Sequence, residues 1–251
     1  CGKSALQNNT TASHNTAVGN NCLLANSTGT NNTAVGSLAL DANTTANNNT
    51  AVGRSALSAN TTGTQNVAVG SLALDANTTG HFNVGIGTNA LGQNTTGQQN
   101  VGIGDNCLSA NTEGIANTAI GQSALGTNTT SSNNTAIGHD ALLLGTRGNN
   151  TAVGAKACDA QTTAAYNTAL GYEALTSNTT AIVSTAIGWG ALQTNTTGAQ
   201  NTAVGANCMQ FNTTGSSNIA MGRQALQANT TGSNNTALGF TALISNTTAD
   251  N

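Results

Sequence analysis

The sequence predicts an all-β chain folded as a parallel β-solenoid, or β-roll, with one 17-residue repeat per turn. Three observations predict it. A five-residue phrase opens at Asn15, Asn32, Asn49, Asn66, Asn83, Asn100, Asn117 and Asn134, each 17 after the last; after one step of 16 it continues at Asn150, Asn167, Ser184, Asn201, Asn218 and Asn235. The phrase alternates with period two, as a strand does, so Thr33 and Val35 share one side while Asn32, Ala34 and Gly36 share the other. Apolar residues also hold their register from copy to copy, which a disordered polar tract has no reason to do, although only 5% of residues are charged and 2% aromatic.

One unit reads Asn32-Thr33-Ala34-Val35-Gly36, then Ser37-Leu38-Ala39-Leu40, then Asp41 to Asn48. Seventeen residues leave no room for a helix, a turn and a strand in each repeat, and no helical spacing of apolar positions is present. Short strands joined by Gly- and Asn-rich turns remain, and a unit that cannot bury its own apolar face is stable only when stacked on its neighbours. Stacking at about 4.8 Å per turn predicts a rod roughly 70 Å long.

Variation between copies assigns the faces. The Val35 column holds only Val, Ile, Leu and Met, and the Thr33 column also accepts Val67, Val84, Val101 and Ile219. Both columns are therefore expected to face the interior, opposite a column of Leu at Leu40 in which Cys158 and Met209 are the exceptions. The intervening column is always Ala or Gly. Ala17, Ala34, Ala51, Ala68, Gly85, Gly102, Ala119 and Ala136 are the expected subunit interface, where small residues let identical chains pack closely around a common axis. The alternative is a narrow roll whose second face also lies inside.

A second asparagine column runs through Asn9, Asn26, Asn43, Asn60, Asn77, Asn94, Asn111, Asn128, Asn178, Asn195, Asn212, Asn229 and Asn246. Stacked amides can hydrogen-bond along such a column. The same Asn-Thr-Thr triplets are formal glycosylation acceptors, and an inward ladder would withhold them. Between Gly138 and Asn150 one residue is lost, and a kink or tightened turn is expected there.

The remaining chemistry argues by exclusion. Five Lys and Arg against eight Asp and Glu give a net charge of −3 without a basic stripe, so nucleic acid is not an expected partner. No apolar run reaches the length of a membrane span, so membrane insertion is not expected either. His14, His81 and His139 lie in different repeats without clustered acids, so no metal site, cofactor or catalytic constellation is expected, and the chain is read as a non-enzyme. Cys22, Cys107 and Cys208 share the Ala39 column; turns separated by tens of ångströms cannot be bridged, and the thiols read as small apolar fillers.

The freest column follows the phrase-ending glycine and carries Lys3, Arg54, Asp105, His139, Tyr172, Trp189, Arg223 and Phe240. Such variety marks an exposed position. Tyr172 and Trp189 are consecutive in it, are expected to stack one above the other, and are the candidate contacts for a host glycan or surface receptor.

Asn117-Thr118-Ala119-Ile120-Gly121, followed by Ser123-Ala124-Leu125 and Asn128-Thr129-Thr130, resembles the repeats of phage and large-virus tail-fibre proteins. Over its first nine positions the repeat is also similar to the head repeats of trimeric autotransporter adhesins. The resemblance covers essentially the whole chain. It implies a homotrimeric, left-handed parallel β-roll, extracellular or on a virion surface, that contacts a host. The chain begins and stops inside a repeat, so residues 1–251 are read as one repeat domain, an uncapped segment of a longer fibre. Two other roles fit the periodicity: a self-assembling extracellular filament or surface-layer module, and an ice-binding solenoid. The latter requires Thr at alternate positions of an exposed strand, whereas Thr44 and Thr45 are adjacent.

Overall fold

The computed structural model describes residues 1–250 and contains no helix among them. It is a parallel β-solenoid in which each repeat forms one turn and contributes one three-residue strand. Two compact units divide it, Cys1–Ser131 and a second from Ser132 onward. The first holds β1(Thr16–Val18), β2(Thr33–Val35), β3(Thr50–Val52), β4(Val67–Val69), β5(Val84–Ile86), β6(Val101–Ile103) and β7(Thr118–Ile120). The second holds β8(Thr135–Ile137), β9(Thr151–Val153), β10(Thr168–Leu170), β11(Thr185–Ile187), β12(Thr202–Val204), β13(Ile219–Met221) and β14(Thr236–Leu238). Within each unit every strand pairs in parallel with the next, and equivalent residues face each other, as Thr33 does Thr50 and Thr168 does Thr185.

Three sharp corners per turn close the coil. In the turn from Asn32 they fall at Leu38, Leu40 and Asn48, all with left-handed backbone at φ of 60°, 52° and 61°. Such a conformation costs a non-glycine residue on the order of 1 kcal/mol, so the corners persist only because packing over-determines them. Backbone pairing does not stop where the strands end. Leu40 N–H donates to the Ala56 carbonyl of the next turn at 3.0 Å, while Leu38 N–H donates to the Asn20 carbonyl of the preceding one at 2.9 Å. At Gly70, with φ of 141°, a Cβ would stand 2.3 Å from the Gly87 carbonyl oxygen, which explains the glycine that ends every phrase.

The interior reverses the face assignment made from the sequence. Ala34, Ala39 and Leu40 are fully buried, whereas Val35 is 36% exposed and Thr33 half-buried. The Thr33 and Val35 columns form the outer face of the sheet. The interior is narrow: one leucine per turn nearly fills it, leaving room opposite for a methyl group or a hydrogen. A Cβ on Gly85 would meet Leu74 Cγ at 3.2 Å, and one on Gly102 would meet Leu91 Cγ at the same distance. Ala17, Ala34, Ala51, Ala68, Gly85, Gly102, Ala119 and Ala136 are thus held small by the leucines of their own chain, and lie where no second chain touches them. The subunit interface expected there is corrected to a core column.

Two asparagine ladders line the rest of the interior. Asn60 Nδ2 donates to Asn43 Oδ1 at 3.0 Å and to the Gly63 carbonyl at 2.9 Å. Asn49 Nδ2 donates to the same Gly63 carbonyl at 2.8 Å, and Asn49 Oδ1 accepts the Asn66 N–H at 2.9 Å. Both columns are buried, so the Asn-Thr-Thr amides are engaged inside the folded chain. In the second unit the missing residue is absorbed in a tightened turn. Asn150 Nδ2 reaches the Arg147 carbonyl at 3.1 Å, and Thr135 still pairs with Thr151. The amide ladder falters there, because Gly145 and Gln161 replace asparagine and the buried Gln161 Oε1 has no hydrogen-bond partner.

Ala119→Leu should destabilise the chain by about 3 kcal/mol through overpacking, while Val35→Thr should cost no more than about 1 kcal/mol; urea unfolding at high dilution measures both. Gln161→Asn should place an amide oxygen in reach of Asn178 and raise stability by about 1 kcal/mol, read as a higher melting temperature.

Candidate functional site

The phrase-ending glycine turns the chain outward, so the next side chain leaves the coil whatever its chemistry. Tyr172 and Trp189 occupy that position on successive turns of the second unit and are 48% and 56% exposed. Their backbones belong to the turn-to-turn ladder: Gly190 N–H donates to the Tyr172 carbonyl at 3.1 Å, and Asn207 N–H to the Trp189 carbonyl at 2.8 Å. The rings themselves do not stack on each other as the sequence suggested. Among the described residues the aromatic contact is between His81 and Phe82, with centroids 6.3 Å apart. Further along the outer column, Arg223 lies over the Phe240 ring at 5.8 Å.

The environment of the two rings was not legible as a site. A hydrogen bond to the Glu173 carboxylate, reinforced by its charge, raises the Tyr172 phenol pKa. Glu173 Oε2 also accepts from Gln193 Nε2 at 2.7 Å. Gln210 Nε2 then donates to Gln193 Oε1 at 2.9 Å, and Gln227 Nε2 to Gln210 Oε1 at 2.9 Å. The one signal for this surface ladder is in the Asp41 column, which varies among Asp, Ser, Gly, Leu and Thr from Leu24 to Thr176 and then holds Gln at three consecutive turns.

Elsewhere the titratable groups are dispersed. Among the described residues no three His, Cys, Asp or Glu side chains converge as a metal site would require. His139 Nδ1 lies 3.0 Å from Asp140, and His81 Nδ1 accepts the Thr64 N–H at 3.0 Å. Cys22, Cys107, Cys158 and Cys208 are buried, unpaired thiols, and burial pushes Cys107 and Cys158 up to about 12 and Cys208 to about 11. They pack as apolar residues. Asp41, Asp75 and Asp159 share an outer column, where burial raises their carboxyl pKa values, and one oxygen of both Asp41 and Asp159 is enclosed without a partner. Compared with protein families, curated proteins and solved structures, the chain matches none of them.

The aspartate column yields a pH dependence. A raised folded-state pKa means that the folded chain holds the proton more tightly, so its contribution to stability is present at low pH and is lost as pH rises from the unfolded carboxylate value through the folded one. Asp41→Asn should therefore raise the melting temperature at about pH 7 and leave it unchanged at about pH 3, where the carboxyl is already protonated.

Proposed function

We propose that the chain is a structural and adhesive segment of a surface fibre or spike, assembled from three identical chains through the outward face of its strands and presenting its variable outer column to a host. The observation that carries this reading is the composition of that face. At both outward positions of all fourteen strands stand only Thr, Val, Ile, Leu or Met, although Val18, Leu170 and Met221 are nearly half exposed. The exposed column two residues on accepts Lys, Arg, Asp and His. A face bounded by solvent alone would drift in the same way, so uncharged, β-branched residues kept across every strand fit a surface that another copy covers. The strand spacing of about 4.8 Å makes each unit's seven-strand face about 30 Å long. Such a strip is long and narrow, as side-by-side packing of elongated chains requires. The copy number of three follows the resemblance to tail fibres and adhesin heads.

A second reading rests on the same face. Thr33 and Val35 point outward together, so the strand exposes one column of mostly Thr beside one of Val, Ile, Leu and Met, half of the alternate-position threonine array of an ice-binding surface. Val67, Val84 and Val101 interrupt the threonines over three consecutive strands, which favours assembly.

Light scattering should give a mass near three times 24.7 kDa. Val52→Glu combined with Ile120→Glu should yield a folded monomer, because two unpaired carboxylates would be buried at the contact. A wild-type monomer at micromolar concentration would remove the assembly, and inhibition of ice recrystallisation by that monomer would favour the second reading.

A further inference from the structure

The second unit carries an outer surface distinct from the strand face, on which three columns change character together. Tyr172 and Trp189 supply two half-exposed rings, Glu173 supplies a carboxylate between them and the amides, and Gln193, Gln210 and Gln227 supply a hydrogen-bonded ladder. The matching columns in the first unit carry Arg54, Asp105, Asp41 and Asp75 and have no aromatic residue. We infer that this ridge is a binding track for a linear, uncharged glycan running along successive turns, an inference that rests on reading the outer columns as host-facing.

Each component matches one requirement of such a ligand. Pyranose rings present flat C–H faces, which pack against aromatic rings, and here neither ring face is occupied by the other ring. Sugar hydroxyls both donate and accept. Gln193 and Gln210 each spend one N–H and one lone pair of the oxygen on their neighbours and keep a second of each for a ligand, and Gln227 spends one N–H alone, the amides repeating at about 4.8 Å. The ladder fixes the amides before a ligand arrives, which lowers the ordering cost of binding. Charge excludes the acidic glycans. Glu173 stands at the first turn of the track beside Tyr172, the neighbouring Lys156 interacts with Asp159, and Arg223 is held over the Phe240 ring. No cavity opens among the described residues, so the ridge suits a polymer laid along it and not a compact ligand held in a pocket.

Trp189 is the only tryptophan in the chain, so its emission reports on this ridge alone. The intact protein would be titrated with cellohexaose, chitohexaose and mannohexaose, and with a heparin hexasaccharide as the anionic probe. A saturable shift of Trp189 emission with at least one neutral hexasaccharide, and none with heparin, is expected. Tyr172→Ala should weaken that binding about thirtyfold, and Glu173→Ala and Gln193→Ala about tenfold each, with the melting temperature and the assembled mass unchanged. No shift with any neutral hexasaccharide up to about 1 mM overturns the inference. So does equal affinity in Tyr172→Ala and Glu173→Ala, or binding of heparin as tight as that of the neutral sugars. A monomeric mass with glycan binding intact would remove the trimer and leave the track; a trimer without binding would do the reverse.

Discussion

The hydrogen bonds of the buried asparagines are the interaction on which the rest of the structure depends. A turn of 17 residues with three left-handed corners has little apolar surface of its own, and its leucine, alanine and valine side chains do not fix the register of one turn on the next. The amides do. Away from the Gly145–Asn195 stretch each Asn43-type side chain bonds to the equivalent amide one turn back and to a carbonyl of its own turn, and each Asn32-type side chain accepts a backbone N–H from the turn ahead. Both ladders converge on one carbonyl per turn, so the same atoms tie register to corner position while the backbone bonds set the stacking distance. A buried amide left unpaired costs about 1–3 kcal/mol, which makes a slipped register expensive at every turn at once.

The interior is correspondingly small. With polar ladders on one side, the apolar part of the core reduces to one leucine and two alanines per turn, and the leucine lies at a strained corner. Burial of that side chain offsets the backbone cost, so the column keeps to large or apolar residues, nearly all leucine. Where the column departs from it, the replacements are Met209 and Cys158, both apolar and fully buried. The same narrowness sends the branched residues of the strand outward and gives the chain an apolar outer face, the feature on which assembly rests.

Period, strand position, parallel stacking, the asparagine ladder and the leucine wall were legible in the sequence, because each follows from residues repeating at one step. The inside and outside of the strand were not. A column confined to Val, Ile, Leu and Met reads as core, and one confined to Ala and Gly reads as a close approach between chains. β-branched residues also suit the exposed surface of a sheet, and small residues also mark an interior too narrow for anything larger. Deciding between those readings requires the position of Leu74 against Gly85, which no spacing of residues encodes. Tyr172 and Trp189 were visible as outliers in a variable column, whereas Glu173, which interacts with Tyr172, and Gln193 lie 20 residues apart and meet only because adjacent turns stack.

Hydrogen exchange of the side-chain amides, followed by nuclear magnetic resonance, reads the ladders without altering them. If the amides hold the turns in register, the carboxamide protons of Asn43, Asn60, Asn77 and Asn94 are protected as strongly as the backbone amides of the strands, while those of the exposed Asn48 exchange as in a free amide. Exchange of the ladder amides at the rate of Asn48 would show that they do not hold the turns together.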